Sequence, residues 1–202
     1  MTEVKPERKF LPGDFYEIMV RDCIICCVDC VVIRKNEHNG KRECLLVERS
    51  DEPAEGLWWW PGGRIYKGET FFKAGKAVFL TYIIMHDYSD GYMVACICNS
   101  AERKCVEETG VKGTPIQVLG VYNTFFPRSS WDKDDAKGTQ TVNAVVLISL
   151  TDGSQVTLDD TSERFRWLPI DSNEDHINEE DKYVFTQLRR MQGWDDIFGY
   201  DM

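Results

Sequence analysis

The run Trp58-Trp59-Trp60-Pro61-Gly62-Gly63-Arg64 places three of the bulkiest side chains directly before the most permissive backbone in the chain. Indoles need a packed surround, proline withholds a backbone donor, and glycine lets the main chain approach a neighbour closely. The order predicts a short strand, Leu57 to Trp60, that delivers a glycine turn to a phosphate-bearing ligand, with Glu69 further on helping to organise a metal. Two of the three tryptophans are expected in the core.

A chain of 202 residues, 43% of them apolar, is long enough for one sizeable core, and a single domain over residues 1-202 is expected. The formal net charge of -10 disfavours bulk nucleic acid as a partner while leaving room for a local basic pocket or a metal bridge to a small phosphorylated ligand. The first fifteen residues, MTEVKPERKFLPGDF, lack the apolar run of an export signal, and AVFLTYII stops at His86-Asp87, too short to span a bilayer. A cytoplasmic protein without membrane contact is the expectation; monomer and homodimer are both left open. Eight cysteines raise the question of zinc, since Cys23, Cys26, Cys27 and Cys30 follow a C-x2-C-C-x2-C pattern. Isoleucine and valine interleave them, which favours a strand with reduced thiols over a zinc knuckle.

Along the chain, residues 1-20 read as an irregular arm with a short helix near Asp14 to Met19. Cys23 to Arg34 reads as a strand, followed by a hairpin around Asn39-Gly40 and a return strand from Cys44 to Glu48. The stretch PGGRIYKGE reads as a turn-rich loop. Ala101 to Thr109 is a helix stopped by Gly110. Strands follow at Ile116 to Thr124, Thr141 to Leu150 and Phe165 to Leu168, and Glu179 to Gln192 carries a helical apolar spacing.

Gly63, Glu69, Arg103, Glu107, Glu108, Gly110 and Val111 together resemble the Nudix box, G-x5-E-x7-R-E-U-x-E-E-x-G-U, in which U is a bulky apolar residue. Two departures stand out. Lys104 occupies a glutamate position, and 33 residues separate Glu69 from Arg103 where the box has seven, an excess of 26. Removing Lys76 to Ala101 restores the spacing. Closing such a loop at adjacent helix positions costs about 3 kcal/mol beyond a constant. The segment is rich in apolar residues, and its 26 codons, or 78 nucleotides, suit a short in-frame intron retained in the protein sequence. A genuine lid or partner-binding hairpin turning at Ser89-Asp90-Gly91 is the other reading.

The resemblance implies an α/β class, a Nudix-type α/β/α sandwich with a mixed β-sheet, here interrupted by an insertion in the Nudix helix. It further implies magnesium, with manganese as the alternative, held by Glu107, Glu108 and Gly63, and a pairing of Glu69 with Arg103. Within the superfamily, VERSDEPAEGLWWWPGGRIYKGET is most similar to the GDP-mannose mannosyl hydrolase branch. That likeness implies that Asp29, Arg49 and Arg64 bind the nucleoside diphosphate-linked substrate, with Arg64 and Glu108 as catalytic residues. The branch has a general-base histidine shortly before its last strand; Ser162 stands there here, and neither Asp160 nor Glu163 has a motif to replace it. Three readings stay open: hydrolysis at the sugar's anomeric carbon, ordinary Nudix attack at phosphorus, and a nucleotide-binding module that has lost its chemistry.

Overall fold

The computed structural model describes residues 12–66, 100–129, 137–150 and 155–170, together with Val184. Helix α1 (Gly13–Asp22) precedes strands β1 (Ile25–Lys35), β2 (Arg42–Arg49), β3 (Trp58–Trp59) and β4 (Gly62–Arg64). Residues 100–109 are helical and form α2. Strands β5 (Gly113–Phe126), β6 (Thr139–Leu150) and β7 (Ser162–Pro169) complete a seven-stranded mixed sheet.

β1 is the hub of that sheet. One edge runs parallel to β6, from Ile25 opposite Thr141 to Ile33 opposite Ser149. The other edge is shared: residues 27–29 pair with β4 and residues 33–35 with β2, both antiparallel. β2 gives its own outer edge to β7 through residues 43–49, so its inner edge must hold both β1, at residues 42–44, and β3, at Val47 and Glu48. β1 and β2 therefore part after a brief contact. Residues 58–64 fill the fork, with β3 on one arm and β4 on the other. Pro61 sits between the arms, where its missing N–H leaves no ladder donor unpaired, and its carbonyl accepts from the Cys30 N–H at 2.7 Å.

Side-chain alternation sorts the interior into two clusters, one on each face of the sheet. Val31, Ile33, Cys44, Leu46, Val145 and Leu147 pack with Trp60 and with Val184, itself helical. Val28, Cys30, Val32, Leu45, Val146 and Ile148 pack against Ala101 and Cys105 of α2. β1 and β6 are covered on both faces, which explains why they read in the sequence as near-continuous apolar runs.

The hairpin forms as expected: Gly40 adopts φ +67° and its N–H donates to Asn36. Gly110, also at φ +67°, ends α2 with its N–H on the Val106 carbonyl. The expected short N-terminal helix is longer than read, reaching Asp22, and packs Tyr16, Met19 and Val20 against Ile25 and Cys27. In the cysteine cluster, Cys26, Cys27 and Cys30 lie on β1, where successive side chains point to opposite faces and do not converge on one ion. Burial pushes the Cys27 thiol up to about 12. Glu69 lies outside the described residues, as does most of the segment Lys76 to Ala101. Its last two residues, Ser100 and Ala101, are helical and buried, and the Ala101 carbonyl accepts from the Cys30 thiol at 3.2 Å.

Candidate functional site

The glycines after Pro61 do not form a turn. They are β4, laid against residues 27–29 of β1, and neither adopts a positive φ. Sequence propensity missed this strand because glycine has no strand preference of its own; the open edge of β1 supplies the reason. What these positions require is absence of a side chain. A Cβ on Gly62 would collide with Asp29 Oδ1 and come within 2.6 Å of the Val28 carbonyl oxygen. A Cβ on Gly63 would lie 2.9 Å from both Cε and Nζ of Lys104 and 3.2 Å from Glu108 Oε1. The two glycines thus bring the backbone of one strand against a buried carboxylate on one side and a charged helix face on the other.

That helix face follows from α-helical spacing. Ala101 and Cys105 turn into the core, so Lys104 and Glu108, again four apart, turn toward β4. Glu108 is buried; its Oε2 accepts the Gly62 N–H at 2.8 Å and its Oε1 accepts from Lys104 Nζ at 3.2 Å. Burial raises the Glu108 carboxyl above its ordinary range, opposed by Lys104 and the Gly62 N–H. Lys104 Nζ also stands 3.7 Å from Glu107 Oε2, which accepts from Arg103 at 2.7 Å. Arg103 closes the loop by donating to the Arg64 carbonyl at 3.3 Å, and its guanidinium lies over the Tyr66 ring.

Asp29 lies behind Gly62, 5% exposed, and accepts from the Asn143 amide at 2.9 Å; Thr141 in turn donates to Asn143. Burial lifts its carboxyl from 3.8 to about 6, against the hydrogen bonds it receives and with the Glu108 charge adding to the rise. Because the unfolded carboxyl titrates at the lower value, the folded chain binds the extra proton between these two limits. The stability from this group is therefore full below about pH 4 and lost as pH rises to about 6. Asp29→Asn, which keeps the shape without the charge, should gain on the wild type across that window by up to about 3 kcal/mol. Urea melts of both proteins at pH 4, 5, 6 and 7 measure it; parallel pH profiles would contradict the placement.

Of the other expected residues, Arg64 stands at the end of β4 with its guanidinium 4.7 Å over the Tyr16 ring of α1. Arg49 is tied to its own loop through Nε and the Pro53 carbonyl at 2.7 Å. Ser162, in the place of the expected histidine, pairs across from Arg49 at the start of β7. Asp160 and Glu163 are exposed, whereas Asp159, which the sequence did not mark, carries its N–H to the Glu108 carbonyl at 3.1 Å. Asn143 was also missed, although a lone amide inside the apolar run Val142 to Ile148 was a signal for it. Tyr16 had no comparable signal.

A divalent cation needs several oxygen donors with free lone pairs. Among the described residues no group of three or more His, Cys, Asp or Glu converges in that way. Gly63, Glu107 and Glu108 do come together, but the Lys104 ammonium lies against both carboxylates, and the second Glu108 oxygen is held by Gly62. As arranged, these residues do not suit a resident divalent ion.

The fold has parallels among solved structures. The chain is similar to an Ap4A hydrolase from C. elegans, with a TM-score of 0.51 and 18% identity over 88% of this chain and 100% of that one. The chain has a Nudix fold. A MutT Nudix hydrolase from Burkholderia pseudomallei shares this Nudix fold with a TM-score of 0.50 and 17% identity, over 82% of this chain and 98% of the other. The MutT protein of Methanosarcina mazei gives 0.50 and 16%, over 88% and 96%. In sequence, the low-salt glycan biosynthesis protein Agl8 of Haloferax volcanii is 28% identical over 127 residues, 63% of this chain and 61% of that relative's own length. No protein-family model matches the chain. None of the described helices is long and apolar enough to cross a membrane.

Proposed function

We propose that this Nudix-fold chain hydrolyses a small molecule linked to a nucleoside diphosphate, with a nucleotide sugar as the substrate class and GDP-mannose as the member that its resemblance to the GDP-mannose mannosyl hydrolase branch implies. The observation that carries the reading is the junction of β4 with α2. There a backbone stripped of side chains leads into Arg64, the Glu108 carboxylate fixes the Gly62 N–H, and a buried Asp29 lies directly behind. A glycine strand admits phosphate oxygens close to the backbone, and an arginine fork matches them in shape and charge. The glycan-related name of the Haloferax relative supports a sugar-linked substrate, and the Ap4A hydrolase supports a phosphate-linked nucleotide.

In this reading Arg64 binds the diphosphate and stabilises the charge that develops on the departing nucleoside diphosphate when water attacks the anomeric carbon. Glu108 holds the β4 backbone and Lys104 in place, while Asp29 and Arg49 complete the substrate contacts. Magnesium, or manganese in its stead, arrives with the diphosphate as part of the substrate, and the cytoplasm is the proposed compartment. Incubating the full chain with a panel of nucleotide sugars in ¹⁸O-labelled water, with and without magnesium, tests the proposal. Label in the free sugar marks attack at carbon, and label in a nucleoside monophosphate marks attack at phosphorus. Binding without turnover of any member would favour the binding module, which Lys104 and Ser162 already favour over an ordinary Nudix site.

Arg64→Lys separates charge from shape. Lysine retains the positive charge but loses both the planar fork and the face that stacks on Tyr16. The variant is expected to lose about tenfold to a hundredfold in kcat/KM, and Arg49→Lys less. Steady-state kinetics check this; unchanged kinetics in Arg64→Lys would place the guanidinium outside the site.

A further inference from the structure

We propose that the Lys104 ammonium is the resident cation of this site, seated between Glu107 and Glu108, so that the free protein holds divalent ions weakly. Three independent features build the seat. Lys104 is 14% exposed at its side chain, with Glu108 at 9% and Glu107 at 21%, so the ammonium is withdrawn from water and bonded at 3.2 Å to one carboxylate and 3.7 Å from the other. Lysine is rarely so enclosed without partners. Gly63 is part of the wall: a Cβ there would press on both Cε and Nζ of Lys104 at 2.9 Å, so the missing side chain is what leaves the ammonium its room. Finally, the charges of the group cancel. Arg103 pairs with Glu107 and Lys104 with Glu108, leaving no net negative charge on the helix face to draw a dication.

The inference concerns the protein without substrate and goes beyond the reading of its activity. An anionic ligand approaching Gly63 would meet an ammonium that the protein carries itself, where a divalent ion would otherwise have to be recruited. Replacing the lysine by a neutral side chain leaves the carboxylates in surplus by one charge, the condition that attracts a hard cation.

Manganese binding to wild-type, Lys104→Gln and Lys104→Arg proteins, followed by electron paramagnetic resonance with no nucleotide present, tests the seat. Lys104→Gln should bind manganese at least about tenfold more tightly than the wild type, because a positive neighbour has been removed. Lys104→Arg should stay as weak as the wild type. Adding Glu108→Gln to Lys104→Gln should abolish the gain. Equal affinity in wild type and Lys104→Gln, tight binding in Lys104→Arg, or a gain that survives loss of Glu108 would each overturn the proposal. In the unaltered protein, the Lys104 ammonium resonance should stay in place as magnesium is added; a shift there would overturn it as well. These readouts need no turnover, so an inactive protein that binds manganese as described would refute the hydrolase reading and leave the ammonium seat standing.

Discussion

Glu108→Gln should lose turnover by about a hundredfold or more while retaining a cooperative fold, the drop expected when reacting groups shift by an ångström. The carboxylate does two jobs. One oxygen accepts the Gly62 N–H at 2.8 Å and so joins β4 to α2, and the other takes the Lys104 ammonium at 3.2 Å within α2, so both of its bonds are charge-assisted. Glutamine keeps one acceptor and turns an N–H group toward whichever partner remains, donor against donor. The cost in stability is expected at about 2 kcal/mol, that of leaving a buried donor unpaired. Glu107→Gln, at a more open carboxylate, should cost less on both counts. Kinetics and urea melts of the two variants side by side decide the matter, and full activity in Glu108→Gln would remove this carboxylate from the site.

Gly62→Ala is expected to damage both fold and activity. The added methyl group meets Asp29 Oδ1, the Val28 carbonyl oxygen and, at 2.9 Å, the Asp29 Cα. Two of these belong to the backbone of β1 and have little freedom to yield, so β4 must lift from the strand that carries it. Overpacking of this kind costs about 3 kcal/mol, and the displaced β4 carries Arg64 with it, for a loss of about a hundredfold in kcat/KM. Gly40→Ala makes a useful contrast, since nothing lies within 4 Å of its Cβ and only the positive φ resists. It should cost about 1 kcal/mol and leave kinetics intact. Equal behaviour of the two alanine variants would show that the close approach at Gly62 does not matter.

The contrast also shows which features were legible in the sequence. Gly40 and Gly110 act locally, at a hairpin and a helix end, and their neighbours announce them. β1 and β6 announced themselves as well, because a strand buried on both faces needs no alternation. β4 did not, since its status as a strand depends on β1 and β2 parting company, an event decided by pairings between distant segments. The box resemblance brought Gly63, Arg103, Glu107 and Glu108 to one place, and the structure joins them to Arg64 and Asp29 through hydrogen bonds and close packing. Lys104 was visible as a departure, but that its ammonium lies against both carboxylates depends on a helix turn and on Gly63 across from it. Asn143 supports Asp29 from a strand more than a hundred residues away, and Tyr16 reaches Arg64 from α1; spacing carries no trace of such contacts.

In the proposed function, the β4–α2 junction is where a nucleoside diphosphate binds. Backbone amide shifts of the isotopically labelled chain, followed as GDP is added, test it without requiring any turnover. The largest changes are expected at Gly62, Gly63, Arg64 and Glu108, with Asp29 following, and Arg64→Lys should weaken the titration without moving its location. Changes confined to the β5–β6 hairpin, or none at all up to saturating nucleotide, would contradict the claim.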